Sequence, residues 1–412
     1  MKKERITAID LGVTKIKCVI SEIDLQGKIN ILGFSESEAK GFDKGIVTDS
    51  EAALESLKSV ISEIENKTQI KIKKTKIVVG LQGEHVKELS GESSKDDFTK
   101  PVQEEDIYEI KRKAQRISLP AEIVVWQLIP LEYSIDGLPG IKQPVGMSVF
   151  NKLTLKALLL TIPKSCLATI MELLYQLGLR KFELVFQNAT IGLGVCDEEE
   201  LMRGVAVLDI GGSLNFGIYK NNEYQTGFSL PLGGVAVTND IALVFLTPYH
   251  YAEKIKKEFG VAKKEFIIND SPIDIIDYQG KVTRRITQSQ LSQVIEYRLK
   301  ELLLLAKAEY DKRLSEEMLP LYIVITGGVA NTPGIDKLVE EIFSLPARIG
   351  FSATIKEKIS PTNFTEPQFA SLIGLINYKL KKKDYQPVRD IDFFDKIKIW
   401  IKRKFNFILG EE

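Results

Sequence analysis

The sequence predicts an α/β fold made of two similar halves. Two observations carry the prediction. A β-branched apolar run that reaches an Asp and stops at glycine occurs once in each half of the 412-residue chain, as Ala8-Ile9-Asp10-Leu11-Gly12-Val13-Thr14-Lys15 and as Leu208-Asp209-Ile210-Gly211-Gly212-Ser213. Each run is followed by a second strand and a hairpin signal, and a third run, Tyr322-Ile323-Val324-Ile325-Thr326, stops at Gly327-Gly328. A strand that breaks into a glycine turn leaves backbone N–H groups free to reach a phosphate. Glycine is required where a Cβ would block that approach. The Asp adds a carboxylate able to hold a hydrated Mg²⁺. Two such turns point to two halves closing on one nucleotide.

The elements follow in order. Residues 5–10 and 15–23 read as strands around the first turn, Gln26-Gly27-Lys28 as a hairpin, and 29–34 as a third strand. Helical spacing of Leu54, Leu57, Ile61 and Ile64 predicts a helix over 50–66, with Asp49-Ser50-Glu51 as its cap, before a strand at 77–81. From 83 to about 150 the pattern changes to a helix at 104–117, a strand at 123–129 and a Pro/Gly-punctuated stretch, read as an insertion. A strand at 152–162, a helix at 165–178 and a strand at 181–186 return to the first half. The second half repeats strand, turn, strand and hairpin from 204 to 223, followed by helices at 238–245, 248–258 and 288–313. A strand at 322–325, a helix at 334–343 and a short strand at 348–350 close that half. A helix at 368–380 is expected to pack back on the first.

Lys+Arg and Asp+Glu are both 56, which gives no net field toward nucleic acid. The three cysteines, Cys18, Cys166 and Cys196, are scattered, so a disulfide framework is not expected and a reducing compartment fits. His85 and His250 lack metal-ligand spacing. No secretion signal is read at the N-terminus, and Leu302–Ala306 is far short of transmembrane length.

The charged, Pro387-containing stretch 381–390 reads as a linker. Beyond it, Phe393, Phe394, Ile397, Trp400, Ile401, Phe405 and Ile408 fall on one helical face, flanked by Lys396, Lys398, Lys402, Arg403 and Lys404. Bulky aromatics opposite basic side chains suit a membrane interface with anionic headgroups. Docking on the protein body, or on a partner, is the alternative.

These features together resemble the FtsA family of bacterial actin-like cell-division proteins. The resemblance rests on Gly41-Phe42-Asp43-Lys44-Gly45-Ile46-Val47 and on two strings in the insertion, Ile129-Pro130-Leu131-Glu132-Tyr133-Ser134-Ile135-Asp136 and Gly140-Ile141-Lys142-Gln143-Pro144-Val145-Gly146-Met147. It extends to Gly233-Gly234 with Thr238-Asn239-Asp240-Ile241-Ala242, and to Ala252-Glu253-Lys254-Ile255-Lys256 with Gly260. The insertion strings resemble the signature of that family's 1C subdomain.

The resemblance implies an actin-like (ribonuclease H-like) two-lobed ATPase fold with an inserted 1C subdomain and a C-terminal amphipathic helix. It implies a first lobe at 1–82, 161–202 and 351–380, the 1C subdomain at 83–160, and a second lobe at 203–350 with an outer part at 238–318. A linker at 381–390 and a membrane-targeting helix at 391–412 complete the division. It further implies ATP with Mg²⁺ in the cleft, actin-like filaments, capture of the C-terminal tail of FtsZ, contacts with other divisome proteins, and residence on the cytoplasmic face of the membrane at the division site.

By the same resemblance, Gly12, Val13, Thr14 and Lys15 form the first phosphate loop, and Gly211, Gly212 and Ser213 the second. Asp10 and Asp209 would act on Mg²⁺ through water, and Gln187 near the attacking water, with a plain polar linker residue as the alternative. Glu253 and Lys256 would meet ribose and adenine, or be a surface ion pair. Gly327 and Gly328, with Gly233 and Gly234, would let the nucleotide approach the backbone. Arg298 and Glu301 would line the groove for the FtsZ tail, or form a solvated charged face of the helix. The second loop departs from the family's Asp-Ile-Gly-Gly-Gly-Thr-x-Asp: Ser213 stands for the Thr and Asn215 for the second Asp. Positioning and electrostatics dominate phosphoryl transfer, so the lost carboxylate predicts ATP binding with weak or absent hydrolysis. Rival readings are a PilM-like pilus-assembly scaffold, against which the basic aromatic tail argues, and a small-molecule kinase of the same superfamily, for which no catalytic-base motif is found.

Overall fold

A computed structural model describes residues 4–24, 27–314, 318–352 and 364–381, together with Ile397 and Ile399. Strands β1 (Glu4–Leu11) and β2 (Lys15–Ile23) form a hairpin, and β3 (Ile29–Glu38) pairs with β2. A small ribbon of β4 (Phe42–Asp43) and β5 (Ile46–Val47) leads to α1 (Ser50–Thr68) and β6 (Lys76–Leu81). Helix α1 starts where the Asp49 side chain accepts from the Glu51 and Ala52 amides, and stops at Gln69 in the left-handed region. Its Leu57, Val60, Ile61 and Ile64 face the sheet and are buried.

The insertion holds β7 (Lys87–Asp96), α2 (Glu104–Ala114), β8 (Ile123–Ile135), β9 (Leu138–Ile141) and β10 (Lys152–Pro163), in a sheet of order β7-β10-β8-β9 with a hydrophobic cluster of its own. Strand β8 runs six residues beyond the expected end at Ile129. Pro130 cannot donate to the ladder, and the register steps from Pro130 opposite Ala157 to Glu132 opposite Lys156, so a bulge at Leu131 absorbs it. Strand β7 was not expected. Its sequence, KELSGESSKD, has no apolar alternation, because it is a largely polar edge strand.

The chain continues with α3 (Lys164–Gln176), β11 (Phe182–Phe186), α4 (Gly192–Val195) and α5 (Glu198–Arg203). The second half comprises β12 (Val205–Ile210), β13 (Leu214–Lys220), β14 (Glu223–Leu230), α6 (Gly234–Phe245), α7 (Tyr249–Phe259), β15 (Pro272–Ile276), β16 (Val282–Thr287), α8 (Gln288–Arg313), β17 (Ile323–Thr326), α9 (Ile335–Phe343) and β18 (Ala347–Ile349). The hairpin β15–β16 was also unanticipated, whereas α8 has the expected limits. The Thr287 and Gln290 side chains form a reciprocal capping box at its start.

The two main sheets repeat one another. The first has the order β3-β2-β1-β6-β11 and the second β14-β13-β12-β17-β18. In each, the leading strand pairs antiparallel with its hairpin partner on one side and parallel with a later strand on the other. The two glycine turns therefore occupy equivalent hairpin tips. Helix α10 (Ala370–Lys381) returns to the first lobe, packing on β1, β6 and α4 with Leu372, Ile373, Leu375 and Ile376 fully buried. Each such side chain contributes about 1.5–3 kcal/mol of burial.

Candidate functional site

The hairpin tips of the two lobes meet. A Cβ on Gly212 would stand 2.6 Å from Thr14 Cγ2 and 3.2 Å from Thr14 Oγ1, so a side chain there would have to displace Thr14 for the second turn to come this close to the first. Behind the tips lie two carboxylates. Asp10, 6% exposed, accepts from Ser371 Oγ of α10 at 2.7 Å through Oδ2, and its Oδ1 is buried with no partner among the described residues. Asp209 accepts from Thr326 Oγ1 at 3.0 Å and from Asn215 Nδ2 at 3.4 Å. Burial first, then the neighbouring Asp10 charge, push the Asp209 carboxyl above the usual range, against its hydrogen bonds and the charge of Lys17.

Lys15 turns away from this pair to bond Glu36 on β3. Lys17 is the cation felt by Asp209, and its Nζ donates to the Gln368 carbonyl at 2.8 Å. Sequence reasoning missed Lys17, although the hairpin register sets it directly opposite Asp10. Val13 is half-buried and Thr14 exposed at the turn. Gln187, 2% exposed, has its Oε1 buried without a partner among the described residues and lies against Gly80, the residue paired with Asp10.

Asn215 is held from three sides. Its Nδ2 donates to Gln82 Oε1 at 2.8 Å and lies 3.5 Å from Ser213 Oγ, and its Oδ1 accepts from Ser229 Oγ at 2.8 Å. Asn188 Nδ2 in turn donates to Ser229 Oγ and to the Phe228 carbonyl. Gln82, Asn188 and Ser371 were not anticipated, because each reaches the site only through long-range packing.

The second turn is buttressed by α6. The Gly234 amide donates to the Gly211 carbonyl at 2.8 Å, and a Cβ on Gly233 would stand 2.7 Å from the Gly211 and Gly212 carbonyls. Helix α6 thus begins at Gly234, four residues before the expected start. Lys256 Nζ donates to the Gly234 carbonyl at 3.0 Å and to Thr238 Oγ1 at 2.7 Å, and pairs with Glu253 at 2.6 Å. Burial lowers the Lys256 ammonium pKa, while Glu253, although burial opposes its charge, is held below the usual range by Lys256. Gly327 takes a positive φ of 84°, and the Cα of Gly328 faces open space. Arg298 is committed to a bidentate bond with Asp240 at 2.5 and 2.7 Å and also donates to Glu301 at 2.8 Å.

Of the tail, Phe393, Phe394, Trp400, Ile401, Lys402, Arg403, Lys404, Phe405 and Ile408 lie outside the described residues. Ile397, 6% exposed, joins the core cluster of the first lobe, and Ile399 is half exposed. Among the described residues no helix is long and apolar enough to cross a membrane.

Duplicated sheets, facing glycine tips and an inserted subdomain define a protein of the actin-like ATPase fold. Similar solved structures carry that fold over nearly the whole chain. The PilM–PilN type IV pilus biogenesis complex matches with TM-score 0.61 at 16% identity, covering 90% of this chain and 97% of that one. MreB5 of Spiroplasma citri bound to AMPPNP matches with TM-score 0.58 at 14% identity, covering 93% and 98%. The chain belongs to the FtsA family of cell-division proteins. The family profile "Cell division protein FtsA" matches residues 206–374, and "SHS2 domain inserted in FTSA" matches 82–161. The cell division protein FtsA of Buchnera aphidicola subsp. Baizongia pistaciae is 30% identical over 98% of this chain and 99% of its own length. That of Borreliella burgdorferi is 30% identical over 95% and 94%.

Proposed function

We propose that this protein binds ATP with Mg²⁺ between its lobes, assembles into filaments, and tethers FtsZ to the cytoplasmic face of the cell membrane at the division site through its C-terminal segment. The observation that carries the nucleotide reading is the contact of the two glycine tips, Thr14 against Gly212, in front of Asp10 and Asp209. Asp10 Oδ1 and Gln187 Oε1, with no partner among the described residues, are acceptors that a hydrated cation and a water would satisfy. Among the described residues no three His, Cys, Asp or Glu side chains could hold a metal together. Mg²⁺ keeps much of its water, and Asp10 and Asp209 would hold it through hydrogen bonds to that water. The cation would neutralise phosphate charge when bound. Backbone amides at Gly12–Lys15 and Gly211–Ser213 would cradle the phosphates, and Glu253 and Lys256 would flank the base and ribose beside Gly327 and Gly328.

Hydrolysis is expected to be slow. Asn215 carries no charge and is tied to Gln82 and Ser229, so it cannot act as a base. Kinase chemistry would need such a group beside the terminal phosphate.

Family membership supports the division role and the partners: FtsZ, further divisome proteins and other copies of the chain. Arg298 and Glu301 would sit at the FtsZ groove as an ordered fork rather than a free cation, beside the exposed Tyr297 of α8. In the tail, Ile397 packs in the core cluster of the first lobe, the arrangement that docking on the protein body would give. Membrane insertion would exchange the first lobe for acyl chains around Ile397.

The test is flotation with anionic vesicles and ATP, followed by electron microscopy. Filaments on vesicles are expected, with flotation lost on deleting 392–412 and nearly so on replacing Trp400 and Ile401 by Glu. Flotation of the truncated protein, or steady phosphate transfer to a small molecule, would overturn the reading.

A further inference from the structure

The root of the insertion belongs, by its bonds, to the opposite lobe. Gln82 directly follows β6 of the first lobe and is 8% exposed, yet its Oε1 accepts from Asn215 of β13 at 2.8 Å. Six residues on, Glu88 of β7 accepts from Tyr224 Oη at 2.5 Å, Thr226 Oγ1 at 2.8 Å and the Gly227 amide at 3.1 Å, all on β14. The segment between Gln82 and Glu88 is thus clamped to the second sheet at both ends.

The free end of Gln82 points at the first turn. Its Nε2 lies 3.7 Å from where a Cβ of Gly12 would stand, and among the described residues it has no acceptor. An amide N–H₂ with no protein acceptor beside the first turn is free to donate to an anion bound there. Because Asn215 fixes the oxygen, the nitrogen is committed to the cleft side.

We infer that Gln82 is a further residue of the nucleotide site, donating an N–H to the terminal phosphate and carrying nucleotide occupancy into the insertion. This rests on the ATP-holding reading above. Asn215 holds Gln82 beside Asp209, at the carboxylate end of the cleft, while Lys256 and Glu253 buttress the second turn from its other side through Gly234 and Gly211. The residue therefore reads the phosphate that distinguishes ATP from ADP. The clamp then makes the insertion follow the second lobe when the lobes close, although it is connected in sequence to the first.

The test measures ATP and ADP affinity of the full chain by titration with Mg²⁺ present, and hydrogen exchange of β7 with each nucleotide. Wild type is expected to prefer ATP and to protect β7 more with ATP than with ADP. Gln82→Ala should weaken ATP binding about tenfold, as for a lost hydrogen bond to a charged acceptor, with ADP affinity unchanged and the ATP-dependent protection lost. Gln82→Glu keeps the acceptor for Asn215 but offers oxygen to the phosphate, and should weaken ATP more than Gln82→Ala while staying folded by thermal melt. Should both variants bind ATP and ADP in the wild-type ratio, the Gln82 assignment is overturned and the ATP-holding reading stands. Should wild type itself bind neither nucleotide, both fall.

Discussion

Acid should loosen this protein through His85. The ring sits at the root of the insertion against Gly83, whose Cβ, if present, would stand 2.6 Å from it. Both ring nitrogens are buried with no hydrogen-bond partner among the described residues. Burial, and after it the Lys87 charge, push the His85 pKa down from 6.5 to about 4. Between those values the unfolded chain binds a proton that the folded chain refuses. Stability is therefore complete above pH 6.5 and is lost as pH falls through the window toward 4. At about 1.4 kcal/mol per pH unit, the loss is about 2 kcal/mol by pH 5 and about 3 kcal/mol in all. Burial raises the Glu88 and Asp209 pKa values and gives slopes of the opposite sign, so the measurement has to be a difference. The assay is urea unfolding from pH 7.5 to 4 of wild type and His85→Phe, with the difference in unfolding free energy plotted against pH. A curve that stays flat over the window would refute the reasoning, whatever the variant's absolute stability.

Further outcomes follow from the cleft. Gly212→Ala should drive Thr14 out of place and weaken ATP binding, and adding Thr14→Ala should restore part of the loss; titration of the single and double variants checks it. Asn215→Asp adds a carboxylate beside Asp209, so phosphate release per molecule should rise, along with a loss of about 1–3 kcal/mol in stability from the added buried charge. Arg298→Ala breaks the fork on Asp240, and should cost about 1 kcal/mol by thermal unfolding and weaken binding of an FtsZ tail peptide read by anisotropy.

What could be read in advance was local. The strand-to-glycine tips and the cap on α1 are set by neighbours in sequence, so their residue types announce them. The polar edge strand β7 carried no such mark, and Pro130 disguised the continuation of β8 because a bulge, invisible in the sequence, accommodates it. In the site, Asp10 and Asp209 were legible from their turns, but their partners were not. Ser371 lies 361 residues from Asp10, and Gln82 lies 133 from Asn215. Such pairings are made by sheet order and helix return, and no window along the chain contains them. Lys17 is the instructive miss, since hairpin register alone aligns it, and not Lys15, with Asp10.

The return of α10 also sets an order of assembly. Its Leu372, Ile373, Leu375 and Ile376 complete the second face of the first sheet over Ile6, Ala8 and Val78, and its Ser371 supplies the hydroxyl for Asp10. The first lobe begins the chain, yet it remains half-covered on the ribosome until residues 370–381 have emerged. The basic, aromatic segment is the next to be made. A nascent chain therefore completes the surroundings of Asp10 only once residues 370–381 are out, just before the basic, aromatic segment follows.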